Sequence, residues 1–178
     1  AALLLPGRLN SRPATASLES WHGEVRFLTG TEQLPRPPAR NDTLPPGASL
    51  ETVGKESWLT LLFSDGTRVD VGGNSALDNL SDGRSRGRKL HLRHGSLEAT
   101  VTKLAPDAPF VFSTPEAEAT VIGTALWIST REGETRLEVR AGAVRLRRPR
   151  DGAEVTLKER QFVEVSLENE LRALPAGR

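Results

Sequence analysis

One phrase occurs twice in this chain, 47 residues apart: Leu90, Leu92, Gly95, Leu97 and Ala99 align one for one with Leu137, Val139, Gly142, Val144 and Leu146. In each copy apolar residues alternate, a glycine intervenes, and alternation resumes on the opposite parity. Period-two alternation is the mark of a half-buried strand. A parity slip at glycine marks a turn or bulge, and each copy reads as a short β-hairpin. The repeat points to an all-β class. Asp65-Gly66, lying between Leu59, Leu61, Phe63 and Val69, Val71, adds a further hairpin with a type I′ turn expected. About ten short, mostly antiparallel strands follow from the turn signals, forming a β-sandwich or a short β-solenoid-like stack. The run around Val121, Ile122, Leu126, Trp127 and Ile128 is apolar on both parities, which predicts a central strand buried on both faces.

Chemistry is hard to find. The 178 residues carry a formal net charge of +1, so no global field recruits nucleic acid or anionic lipid. There is no cysteine, which removes disulfides, thiolate metal sites and cysteine nucleophiles together. His91 and His94 are close in sequence, but residues three apart on a strand project to opposite faces and do not readily grip one metal ion. No G-x-S-x-G elbow or phosphate-loop run is present, and no carboxylate pair stands out as acid and base. No catalytic, cofactor-binding or metal-binding residue is expected, and no enzyme. A hydrolase would need a carboxylate and a hydroxyl to converge on His22, His91 or His94.

Two basic clusters remain, Arg84, Arg86, Arg88 and Lys89 in one, Arg145, Arg147, Arg148 and Arg150 in the other. The bland reading is a solvated strand face and a polar loop. The functional one sets the clusters against anionic lipid headgroups, lipopolysaccharide or nucleic acid; for a protein partner, the contact candidates are Arg84, Arg86, Arg88, Arg145 and Arg147, at an exposed strand edge near residues 143–148 or at the loop 81–89. Binding of a surface polysaccharide or peptidoglycan is the alternative, and it needs solvent-facing aromatics. Trp21, Trp58 and Trp127 are available, but Trp58 reads as structural and Trp127 as core.

Taken in order, the phrases resemble the extracytoplasmic domain of the FecR (ferric-citrate sensor-regulator) family. The residues that carry the resemblance are Gly23 and Val25; Gly47, Leu50 and Thr52; Leu61, Phe63, Asp65, Gly66 and Thr67; Gly95 and Leu97; Phe110, Thr114 and Pro115; Val121, Gly123 and Thr124; Gly142 and Val144; and Val155, Leu157 and Gln161. Gly23, Asp65, Gly66, Thr67, Gly95, Thr114, Pro115, Gly123, Thr124 and Gly142 are expected as structural motif residues. Where the family has a glycine in its last turn this chain has Arg160, so a differently shaped turn is expected there.

The resemblance implies a domain at 20–167, a membrane-proximal linker at 1–19 and a C-terminal tail at 168–178. The run Ala1–Leu5 becomes the end of an anchor helix, and the missing methionine reads as loss of an N-terminal part. The implied role is non-catalytic signal sensing or docking, outside the cytoplasm, by a membrane-anchored regulator of an extracytoplasmic-function sigma factor. The implied partner is a protein of the cell envelope, such as an outer-membrane receptor. The sigma factor would be reached only through a cytoplasmic segment not in this sequence. No cofactor is implied.

Overall fold

The computed structural model describes residues 15–29, 32–33, 37–81 and 87–177. The strands are β1 (Ala16–Thr29), β2 (Glu32–Gln33), β3 (Thr43–Leu44), β4 (Ala48–Phe63), β5 (Arg68–Val71), β6 (Ser75–Asn79), β7 (Arg88–Thr100), β8 (Phe110–Ser113), β9 (Glu118–Val121), β10 (Ala125–Arg131), β11 (Glu134–Ala141), β12 (Ala143–Arg147), β13 (Glu154–Lys158), β14 (Gln161–Val165) and β15 (Leu174–Pro175). The chain is all-β, with no helix among the described residues. Strand structure starts at Ala16, ahead of Trp21, where alternation becomes visible in the sequence. Ala1–Leu5 lies outside the described residues.

One hydrogen-bonded network folds over on itself into two facing leaves. The first leaf runs β1 (second half), β4 (first half), β6, β7 (first half), β8, β9, β12, β13. The second runs β1 (first half), β4 (second half), β5, β7 (second half), β10, β11, β14, β15. Pairing is antiparallel except for β7 with β8. Strands β1, β4 and β7 each serve both leaves, so the arrangement is a folded-over sandwich rather than a coil of parallel turns. Between the leaves lies one core, with Leu59, Leu61, Leu97, Ile128 and Leu137 from one side and Leu50, Leu77, Leu90, Leu92, Phe110 and Leu146 from the other.

The repeated phrase is therefore not a hairpin in either copy. Gly95, at φ +96°, bends one continuous strand from the first leaf into the second. Gly142, at φ +84°, carries the chain from β11 in the second leaf to β12 in the first. A leaf crossing and a hairpin turn give the same parity slip, which is why the pattern alone does not separate them. Glycine is required at both crossings. A Cβ at Gly95 would meet the Ser75 Cα at 2.5 Å, and one at Gly142 would meet the Gly123 carbonyl oxygen at 2.7 Å. At Gly95 the space a side chain would fill is taken by the Ser75 hydroxyl, and at each crossing a neighbouring hydroxyl satisfies a backbone group beside the bend. Ser75 Oγ accepts from the Ser96 amide at 3.0 Å, and Thr124 Oγ1 donates to the Ala143 carbonyl at 2.9 Å.

Three further expectations need correction. The run at 119–128 is split by Gly123 into β9 and β10, which lie in different leaves, so it is not one strand buried on both faces. Ile122 is 45 % exposed, and Trp127 sits on the outer, solvent face of β10 rather than in the core. At Asp65-Gly66 the hairpin forms, but only Gly66 has positive φ; the Gly66 amide donates to the Phe63 carbonyl at 2.9 Å and the Phe63 amide to Thr67 at 2.8 Å. That is a three-residue turn closing on a glycine bulge, not a type I′ turn. Arg160 does adopt φ +62°, so the last crossing keeps the glycine-like conformation despite the arginine.

Candidate functional site

The turn at Asp65 leads directly to the most unusual interior group. Arg88 opens β7 and is 7 % exposed, with its guanidinium over Phe63 and Phe110 at 5.6 and 5.4 Å from the ring centroids. Its Nη2 pairs with Asp65 Oδ2 at 2.6 Å, while Nε and Nη1 have no hydrogen-bond partner among the described residues. Burial opposes ionisation of Asp65, but the Thr67 amide and the Arg88 guanidinium outweigh it and hold this carboxyl below the ordinary carboxylate range. Arg88, expected at a partner surface, is thus an interior residue closing one rim of the sandwich. Arg84 and Arg86 lie outside the described residues.

A second buried charge closes the opposite rim. In the turn between β8 and β9, the Thr114 hydroxyl accepts from the Ala117 amide at 3.0 Å and from the Glu116 amide at 3.3 Å. Pro115 follows it in the turn, its φ already set for that conformation. Glu116, 7 % exposed, accepts from the hydroxyls of Thr135 at 2.7 Å and Thr130 at 3.0 Å. Residues expected from the motif order are therefore makers of turns and crossings. Gly23, Gly66, Gly95, Gly123 and Gly142 all have positive φ, Asp65 and Thr67 shape the first turn, Thr114 and Pro115 the second, and Thr124 pins a crossing.

The pieces of a hydrolytic relay lie side by side without forming one. His91 Nδ1 is 3.0 Å from Ser113 Oγ, and Asp78 stands in register beside His91. The Asp78 carboxylate is taken by the Ser49 hydroxyl at 2.6 Å and by Arg93 at 3.1 Å. Ser113 is 7 % exposed, so its oxygen offers a substrate no approach. Burial pushes the His91 imidazole below its ordinary pKa, with Lys89 and Arg93 adding to the effect and Asp78 opposing it. No group of three or more histidines and carboxylates placed to hold a metal ion occurs among the described residues.

What the fold leaves open is an edge. Strand β12 is paired on both sides, with β9 and β13, so residues 143–147 are interior to the leaf and the expected edge there is displaced by one strand. At one margin of the first leaf lies β13, which among the described residues pairs only with β12. Arg145 and Arg147 are exposed on the outer face of β12, in register with Thr156 and Glu154 of β13. Arg148 is not part of that basic face. It is buried, bonded to Asp151 at 2.7 Å and to the carbonyls of Ser166 and Asn169 at 3.0 and 2.7 Å, clamping the tail onto the β12–β13 turn. The Arg148 guanidinium and the Ala153 amide hold the Asp151 carboxyl down at about 2.

Comparison with known proteins agrees with this architecture. Two crystal structures of a Parabacteroides distasonis protein, described as a "putative anti-sigma factor", match with a TM-score of 0.61 and 18 % identity. The match covers 70 % of this chain and 58 % of that one, so this chain spans little more than half the length of its structural neighbour. No curated protein matches it. The family model described as FecR protein matches residues 49–145, from β4 through the glycine crossing at Gly142 into β12. With more than half of its length under that model, the chain belongs to the FecR protein family.

Proposed function

We propose that this chain is the signal-sensing and docking domain of a membrane-anchored regulator of an extracytoplasmic-function sigma factor, working outside the cytoplasm and without catalysis. Membership of the FecR family supports a regulator-type role, and it is the observation that carries the reading. The likeness in fold to a protein described as an anti-sigma factor is consistent with it. The domain would begin at Ala16, where β1 enters the core, and extend to 167, with the residues before it leading from the membrane and 168–178 as a docked tail. Its partner would be another protein of the cell envelope.

Two structural features suit docking. The margin strand β13 offers backbone groups to an incoming strand, save the Lys158 amide that Gln161 Oε1 already accepts, in the mode where main-chain hydrogen bonds give affinity and alternate side chains give selectivity. Arg145 and Arg147 beside it would select among such strands. Glu154 and Lys158 at the ends of β13 discourage indiscriminate pairing.

The test is transcription from the sigma-dependent promoter in cells carrying the full-length protein. Thr156→Pro places a residue without an amide in the margin strand. Output should stop following the signal while the protein level is unchanged. Normal signalling by Thr156→Pro and by Arg145→Glu together would remove the β13 margin from the mechanism. The absence of any sigma-dependent response to deletion of the full-length protein would remove the regulatory reading itself.

A further inference from the structure

The outer face of the second leaf holds a groove of about 360 Å³ walled by two tryptophans. Trp58 of β4 is 43 % exposed, and His22 of β1 stacks behind it with ring centroids 6.3 Å apart. Trp127 of β10 stands on the far side of β5 and β7, three strand spacings away, or about 14 Å. Between them the floor is formed by Gly72, which has no side chain, and Ser96, with Thr60, Asp70 and Glu98 along one flank.

Charge in this groove cancels internally. Arg68 is shared between Asp70 at 3.1 Å and Glu19 at 3.3 Å, and Arg140 pairs with Glu98. Thr60 donates to Asp70 at 2.6 Å. A strongly charged ligand would have to break these pairs, whereas a neutral one rich in hydroxyls adds hydrogen bonds to the carboxylate and hydroxyl oxygens still open. The two indoles supply separate apolar, electron-rich faces, the shape and polarity that stack on the C–H face of a sugar ring. A protein interface would instead centre on a contiguous apolar patch, and here polar floor separates the two rings.

The geometry points to the Trp58–Trp127 groove as a binding site for a neutral oligosaccharide, with Trp58 and Trp127 stacking on sugar rings and Thr60, Asp70, Ser96 and Glu98 binding hydroxyls. This site is separate from the β13 margin, so either assignment stands or falls without the other.

The experiment titrates the whole 178-residue chain with chitotetraose and with cellotetraose, read by tryptophan fluorescence and by amide NMR shifts. At least one tetrasaccharide should bind saturably, with shifts confined to β4, β5, β7 and β10. Trp58→Ala and Trp127→Ala should each weaken binding by about tenfold or more. Both side chains lie on the outer face, so circular dichroism and the thermal midpoint should stay near the parent values. Trp21→Phe should change the fluorescence baseline and leave affinity alone. Lack of saturable binding at millimolar concentrations of either sugar overturns the assignment, as does binding that survives both alanine variants. Capture of a protein partner that depends on Trp58, without sugar binding, also overturns it.

Discussion

A cation closes one rim of the sandwich and an anion closes the other, and the two are held by opposite means. Arg88 relies, among the described residues, on a single carboxylate, Asp65, and on the faces of Phe63 and Phe110. Glu116 has no cation in contact among the described residues; it accepts from the hydroxyls of Thr130 and Thr135. Both groups are equally buried. An ion caged with one partner depends entirely on that partner, because a lone charge in a low-dielectric interior is costly. An ion fed by several neutral donors loses them one at a time, each worth about 1 kcal/mol.

The sharpest way to break this comparison is Asp65→Ala, which strands the Arg88 charge and should cost about 3 kcal/mol or more in urea denaturation. If it costs no more than loss of one hydroxyl at the other rim, the contrast between the two devices fails. Glu116→Gln should cost about 1 kcal/mol, because the Thr130 and Thr135 hydroxyls still find an acceptor oxygen. Arg88→Met removes the charge and fills the aromatic seat with an apolar chain, and it should fall within about 1 kcal/mol of the parent. That outcome, beside a damaging Asp65→Ala, would show that the charge and not the volume is at stake.

Acidity separates the rims more gently. Asp65 has a lowered pKa in the folded chain, so its contribution is complete above the ordinary carboxylate value of about 3.9. It is lost as pH falls further, through the folded value, because the unfolded state takes up the proton first. Stability measured from pH 5 downward should therefore fall less steeply in Asp65→Asn than in the parent. His91 behaves in the same direction at a higher pH. Its folded pKa is lowered, so stability should decline as pH drops below about 6.5, and His91→Gln should flatten that decline. The smallest effect belongs to Arg160→Gly, which relieves a left-handed backbone and should stabilise by about 0.5–1 kcal/mol.

Reading the sequence showed which residues bend the chain, but not where the bends lead. Gly95 and Gly142 stand out because parity slips there, yet the slip is identical for a hairpin and for a passage between leaves. Gly123 hid Trp127 for the same reason: counted through the glycine the run looks apolar on both faces, counted from Ala125 it alternates. The two rim charges carried no local signal. Nothing near Glu116 in sequence announces that hydroxyls from β10 and β11 will surround it, and Arg88 looks like any other basic residue of a polar loop. Trp58 read as structural because it opens an alternating run, and only the pairing order places it on an outer face with Trp127.

Amide hydrogen exchange along the native chain is the most direct test of an open margin on a folded-over sandwich. Strand β7, paired on both flanks in both leaves, should hold the slowest amides, and the outward amides of β13 should exchange among the fastest of any long-lived strand. Protection of β13 equal to that of β7 would contradict the account, because the edge offered to a partner would already be covered.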